Sequence, residues 1–150
     1  MGLKLLFICT GNTCRSPMAE GLAREILGDF VQVGSAGMEA CVGESASTAA
    51  LKVLEEQKVD ISGHLSRRIN PEMMADADFI IPMTQAQEEA LRHLFPHYLN
   101  KIRCLGDWGK GRKDVLDPWG GSLEVYRQTA YEIGNLLRVL KGQLKDGTRA

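Results

Sequence analysis

Leu3-Lys4-Leu5-Leu6-Phe7-Ile8-Cys9, followed at once by Thr10-Gly11-Asn12-Thr13-Cys14-Arg15-Ser16-Pro17, decides how the rest of the chain is read. The first seven residues form a short, nearly continuous apolar run bounded by a turn, the pattern of a strand buried on both faces. Pro17 fits the first turn of a helix, and apolar residues at 18, 19, 22, 23, 26 and 27 keep helical spacing behind it. Ser16 is expected as the N-cap of that helix and Gly28 as its stop. The segment therefore predicts strand, tight loop and helix in immediate succession.

Working outward, the same alternation continues. Val31 to Ser35 reads as a second strand, and a helix near Ser47 to Lys58 turns Ala50, Leu51, Val53 and Leu54 inward. Asp78 to Met83 reads as a third, buried strand, Gln85 to Leu94 as a helix, and Lys101 to Leu105 as a fourth strand. A long loop leads to Gly121, and apolar residues at 126, 130, 133, 137, 140 and 144 then mark a last helix capped by Ser122. Strands separated by helices predict an α/β three-layer sandwich around a four-stranded parallel sheet, in one domain over residues 1–150. Ligands in such folds bind beyond the carboxyl ends of the strands, where Cys9 lies.

Composition narrows the function classes. The 150 residues are 44% hydrophobic, with 18 Lys and Arg against 19 Asp and Glu, so no basic field draws the chain to nucleic acid. The apolar stretch Leu5 to Cys9 is too short to span a bilayer, and Met1 to Lys4 lacks the layout of a signal peptide. A cytoplasmic, monomeric protein with no membrane or nucleic-acid partner is expected. Cysteines 9, 14, 41 and 104 make no C-x-x-C pair, and a chain of this length needs no disulfide framework, so four reduced thiols are expected. His93 and His97 have no carboxylate or cysteine at ligand spacing and read as surface residues, so no metal is expected.

The loop from Cys9 to Ser16 carries the chemistry. Backbone N–H groups in such a turn, together with the helix N-terminus behind it, converge on one point and form an anion nest for which phosphate is the natural guest. The same positive field favours the thiolate of Cys9, the nucleophilic form. Arg15 can grip two phosphoryl oxygens with its planar fork, Ser16 can donate its hydroxyl to the sulfur, and Gly11 and Asn12 tolerate left-handed backbone. The bland reading makes Cys9 a small buried residue at a strand end and Arg15 a solvated helix start. Thiolate attack on phosphorus also needs an acid for the leaving group from another segment. Asp117, in Asp117-Pro118-Trp119-Gly120-Gly121, is a candidate, with Trp119 as a wall of a substrate slot; Asp107 and Asp114 compete on the same loop.

These residues resemble the low-molecular-weight protein tyrosine phosphatase family over essentially the whole chain. The loop Cys9 to Ser16 with Pro17, at the very N-terminus, is similar to the family signature, and Asp117-Pro118 is similar to its general-acid motif. The resemblance implies catalysis by Cys9, Arg15 and Asp117 without metal or cofactor. Thr10, Gly11, Asn12, Thr13, Cys14 and Ser16 would complete the phosphate-binding loop. It further implies that Ser35, in Ser35-Ala36-Gly37, holds the loop residue Asn12, that His64 supports the same network, and that Cys14 is a redox partner for Cys9. Without the resemblance, His64 reads as a polar loop residue.

Within the family, Thr13 stands where many tyrosine phosphatases carry a larger aliphatic residue, and Trp119-Gly120-Gly121 resembles the aromatic-Gly-Gly run of bacterial protein arginine phosphatases. Met38 to Val42 lacks an aromatic residue to flank a phenyl ring. Thr13 and Trp119 thus mark specificity, and the expected activity is release of inorganic phosphate from protein phosphoarginine, with phosphotyrosine as the alternative. An arsenate reductase would need further cysteines near Cys9, and Cys41 and Cys104 have no evident reason to approach it. A phosphocarrier would hold its phosphoryl group, and a non-catalytic phosphate-binding module would need neither Cys9 nor Asp117.

Overall fold

A computed structural model describes residues 2–109, 111 and 113–147. Strand β1, Leu3–Cys9, is the centre of a parallel sheet ordered β2-β1-β3, with β2 at Val31–Gly37 and β3 at Phe79–Pro82. Its side chains alternate between two cores, as a two-residue period requires. Leu5, Phe7 and Cys9 face one layer with α1 (Arg15–Leu27), α2 (Thr48–Glu56) and α5 (Leu123–Gly147), whereas Leu6 and Ile8 face the other with α3 (Pro71–Asp76) and α4 (Gln85–Leu94). Burial on both faces explains why Leu5 to Cys9 read as an unbroken apolar run. The stripe of α5 lies across the first layer, and Tyr126, Ala130, Ile133, Leu137, Leu140 and Leu144 are all buried.

Among the described residues the sheet has three strands rather than the four expected. Only Ile102 bridges to Ile80, and the Arg103 amide donates to the Ile80 carbonyl at 3.0 Å. One 3-10 turn occupies Pro96–Lys101 and another Leu105–Trp108, so the extended stretch between them is too short for a ladder. Its outer backbone groups are also taken: Arg92 donates to the Ile102 carbonyl at 3.0 Å, and Glu88 accepts from the Cys104 amide at 3.0 Å. Helix α3, opened by Pro71 and capped by Asn70, is an element absent from the sequence reading. Gly28, at φ 75, ends α1 as expected. Ser16 does not cap α1, because Cys14 occupies the N-cap position and the Ser16 hydroxyl is drawn inward instead. No helix among the described residues is long and apolar enough to cross a membrane.

Candidate active site

The turn between β1 and α1 is shaped from outside. Met38 donates its amide to the Cys9 carbonyl at 3.0 Å, Glu39 to Thr10 at 2.9 Å and Ser47 to Thr13 at 2.9 Å, while His64 Nε2 lies 2.7 Å from the Asn12 carbonyl. Because the C=O and N–H of one peptide point in opposite directions, anchoring these four carbonyls outward turns the amides of Thr10, Gly11, Thr13 and Cys14 to the concave side. Amides so turned are what an anion nest requires, and three distant segments hold them there. Asn12 takes the left-handed backbone at φ 57, whereas Gly11 does not have positive φ, so only one of the two expected residues uses that freedom. Gly37 is needed for contact: a Cβ there would stand 2.7 Å from the Thr10 carbonyl oxygen.

Cys9 is buried, with its Sγ 2.9 Å from Ser16 Oγ and 3.3 Å from the Asn12 amide. Arg67 donates its amide to Asn12 Oδ1 at 2.8 Å, which fixes the carboxamide, and Asn12 Nδ2 then donates to Ser16 Oγ at 2.7 Å, which holds that oxygen beside the sulfur. A thiolate sulfur can only accept, so in that form of Cys9 the Ser16 hydroxyl and the Asn12 amide are two donors facing its charge.

Arg15 is 5% exposed and donates Nη1 to the Val115 carbonyl at 3.0 Å. Its Nη2 lies 3.7 Å from Asp117 Oδ2, which places Asp117 over the arginine end of the loop. Asp117 Oδ1 accepts from the Trp119 amide at 3.0 Å, so the turn aims the carboxylate, and the carboxylate stays half exposed where a substrate can reach it. Of the competing acids, Asp114 accepts from the Gln85 amide at the start of α4, and the Asp107 backbone carbonyl accepts from Arg103. Asp117 is the carboxylate seen against Arg15. Trp119 is 77% exposed two residues after Asp117, whereas Trp108 is buried, edge-on to Phe79 at 5.4 Å and beneath the Arg103 guanidinium at 4.0 Å.

Ser35 does not hold Asn12. Its hydroxyl donates to Glu20 Oε1 at 2.6 Å, and its carbonyl accepts from the Arg67 guanidinium at 3.1 and 3.2 Å. Arg67 is the residue that reaches Asn12, because it follows Ser66 on a segment bridged to Gly37. Cys9 and Cys14 are both free thiols with separate partners. Cys14 Sγ lies 3.5 Å from Ser47 Oγ and 3.4 Å from the Tyr126 hydroxyl, so pairing with Cys9 would require it to leave both. Burial first, and then the Cys14 contact, pushes the Tyr126 hydroxyl up to about 12, which keeps it protonated at neutral pH. Cys41 is exposed and Cys104 buried, and neither joins the loop.

Three residues absent from the sequence reading complete the scaffold: Arg67, Gln87 and Val115. Gln87 carried a signal, since Thr84-x-x-Gln87 is a capping-box pattern. Arg67 and Val115 act through backbone groups, which no side-chain pattern announces.

The family described as low molecular weight phosphotyrosine protein phosphatase matches residues 4–150. A protein-arginine-phosphatase of Bacillus subtilis (strain 168) is 39% identical over 98% of this chain and 100% of its own length. The low molecular weight protein-tyrosine-phosphatase PtpB of Staphylococcus epidermidis is 32% identical over 93% of this chain and 97% of its own. Among solved structures, a Cys-to-Ser mutant of YwlE arginine phosphatase with a phosphorylated active-site serine superposes with a TM-score of 0.93 at 38% identity, covering 98% of this chain and 99% of that one.

Proposed function

The chain belongs to the low molecular weight phosphotyrosine protein phosphatase family, and from that membership we propose that it hydrolyses protein phosphoarginine through a phosphocysteine intermediate. Cys9 Sγ attacks phosphorus in line with the leaving nitrogen, forming the S–P bond as the P–N bond breaks, while Asp117 protonates that nitrogen. Arg15 and the loop amides hold the equatorial oxygens and take up their charge in the transition state. Asp117, now a carboxylate, removes a proton from water, which attacks phosphorus, releases inorganic phosphate and returns the thiolate, whose charge Ser16 and the Asn12 amide stabilise. The observation that carries this reading is Cys9 Sγ held at 2.9 Å from Ser16 Oγ and 3.3 Å from the Asn12 amide, on a loop whose Arg15 Nη2 lies 3.7 Å from Asp117 Oδ2. The reduced thiol that the chemistry needs is the ordinary state in the cytoplasm.

The guanidino substrate is supported by the arginine phosphatase relatives, by Thr13 and by the rim. Trp119 stands exposed and Met38 to Val42 offers no second aromatic, so a phenyl ring finds one wall rather than two. Phosphotyrosine is the second reading, favoured by the tyrosine phosphatase relatives. The test is phosphate release from matched phosphoarginine and phosphotyrosine peptides by the parent, Cys9→Ser and Thr13→Ile proteins. Preference of the parent for phosphoarginine, a shift toward phosphotyrosine in Thr13→Ile and a dead Cys9→Ser are expected. Outright preference of the parent for phosphotyrosine overturns the substrate, and full activity in Cys9→Ser overturns the mechanism.

A further inference from the structure

Gln87 sits at the third position of α4 and closes a capping box with Thr84: Thr84 Oγ1 accepts from the Gln87 amide at 3.2 Å, and Gln87 Oε1 accepts from the Thr84 amide at 3.2 Å. The same Oε1 also accepts from the Met83 amide at 3.0 Å. A glutamate would serve that cap equally well. What a glutamate lacks is the donor, and Gln87 uses it: Nε2 donates to Thr10 Oγ1 at 3.1 Å, across 77 residues of sequence. The two amides on Oε1 fix the carboxamide, so its NH2 group faces Thr10. Gln87 is 8% exposed, and a carboxylate in its place would be both desolvated and close to the anion nest.

The end of β3 registers the other side of the site as well. Met83 accepts the Val115 amide at 2.9 Å, Val115 accepts Arg15 Nη1 at 3.0 Å, and Asp117 lies two residues further on. Thr10, immediately after the nucleophile, and Arg15, at the far end of the loop, are thus both referred to Met83, one through the Gln87 side chain and one through Val115. Thr10 is gripped on two sides, at its carbonyl by Glu39 and at its hydroxyl by Gln87.

We propose that Gln87 is a positioning residue for the reaction, holding Thr10 so that the first amides of the phosphate-binding loop converge while the same strand end sets Arg15 and the acid loop. The inference rests on the phosphatase reading above. Loss of the donor lets the Thr10 peptide turn, and the loop then binds the transferring phosphoryl group less well, which moves kcat more than KM.

The experiment is a double-mutant cycle on kcat and KM with an activated aryl phosphate, accompanied by inhibition constants for inorganic phosphate and by thermal midpoints. Thr10→Val keeps the volume and removes the acceptor, Thr10→Ser keeps the acceptor, and Gln87→Leu removes the donor. Thr10→Val is expected to lower kcat about ten-fold, Thr10→Ser to restore most of that loss, and the Thr10→Val penalty to vanish in the Gln87→Leu background. Equal Thr10→Val penalties in both backgrounds, with Gln87→Leu changing only the thermal midpoint, would reduce Gln87 to a helix cap and overturn the proposal. Should Gln87→Leu fail to fold, the serine and valine variants decide: the same kcat in both overturns it, and a serine rescue supports it. An inactive parent sinks the phosphatase reading itself, whereas an active parent with uncoupled variants sinks only the role of Gln87.

Discussion

Asn12 is the residue on which the loop's shape and the state of its sulfur both depend, and Asn12→Ala is the sharpest perturbation of either. The side chain is fully buried, accepts from the Arg67 amide and donates to Ser16, and its backbone is left-handed. Each hydrogen bond lost from such a site costs about 1–1.5 kcal/mol, and alanine held at positive φ costs about 1 kcal/mol more. The sum is about 3–4 kcal/mol, a large part of the 5–15 kcal/mol that holds a typical domain. Thermal midpoints should fall by about 6–16 °C, at 2–4 °C per kcal/mol for a chain of this size. Asn12→Gly loses the same bonds without the positive-φ penalty and should recover about 1 kcal/mol. Urea unfolding of the three proteins, with phosphate release measured alongside, separates the contributions. Activity should fall in both variants, because Ser16 Oγ then loses the Asn12 donor that holds it beside the sulfur. The reasoning is refuted if alanine costs under 1 kcal/mol, or if glycine is no more stable than alanine.

Two further outcomes follow from the site and the core. Asp117→Asn should slow turnover of a phosphoarginine or phosphotyrosine peptide by about 10²–10⁴-fold, but should slow the first chemical step far less for an activated aryl phosphate, whose leaving group needs no proton; burst kinetics on the two substrate classes check this, and an equal loss on both would remove Asp117 from the acid's role. At the alkaline end, burial lifts the Cys104 thiol from 9.0 to about 11 and the Tyr126 hydroxyl from 10.0 to about 12. Both groups are protonated in fold and unfolded chain below pH 9, and above it the unfolded chain loses its protons first. Stability should therefore hold up to about pH 9 and fall steadily between pH 9 and 12. Denaturation midpoints across that range should show the fall, and Cys104→Ala with Tyr126→Phe should flatten it.

Much of this protein was written locally. Leu3 to Pro17 determined a buried strand, a tight turn and a helix because all the atoms concerned lie within a few peptide units, so residue type and spacing fix what they can form. The same holds for the α5 stripe and for the Thr84 cap, where the signal and the structure share one helical turn. Lys101 to Leu105 had the composition of a strand, but composition does not say that 3-10 turns at Pro96–Lys101 and Leu105–Trp108 leave too short an extended stretch between them for a ladder. Ser35 was assigned to Asn12 by resemblance, yet packing gave that place to Arg67, which acts through its amide and so leaves no trace in residue type. Asp117 could not be separated from Asp107 and Asp114 by local pattern, since all three share one loop; its proximity to Arg15 is created by Val115 docking on Met83. The sequence by itself determined which reactive side chains stand in the turn after β1, because that property belongs to residue type and spacing. Only the tertiary structure decided which distant carbonyls and amides hold them in register, because a backbone hydrogen bond depends on where the chain passes rather than on what it carries.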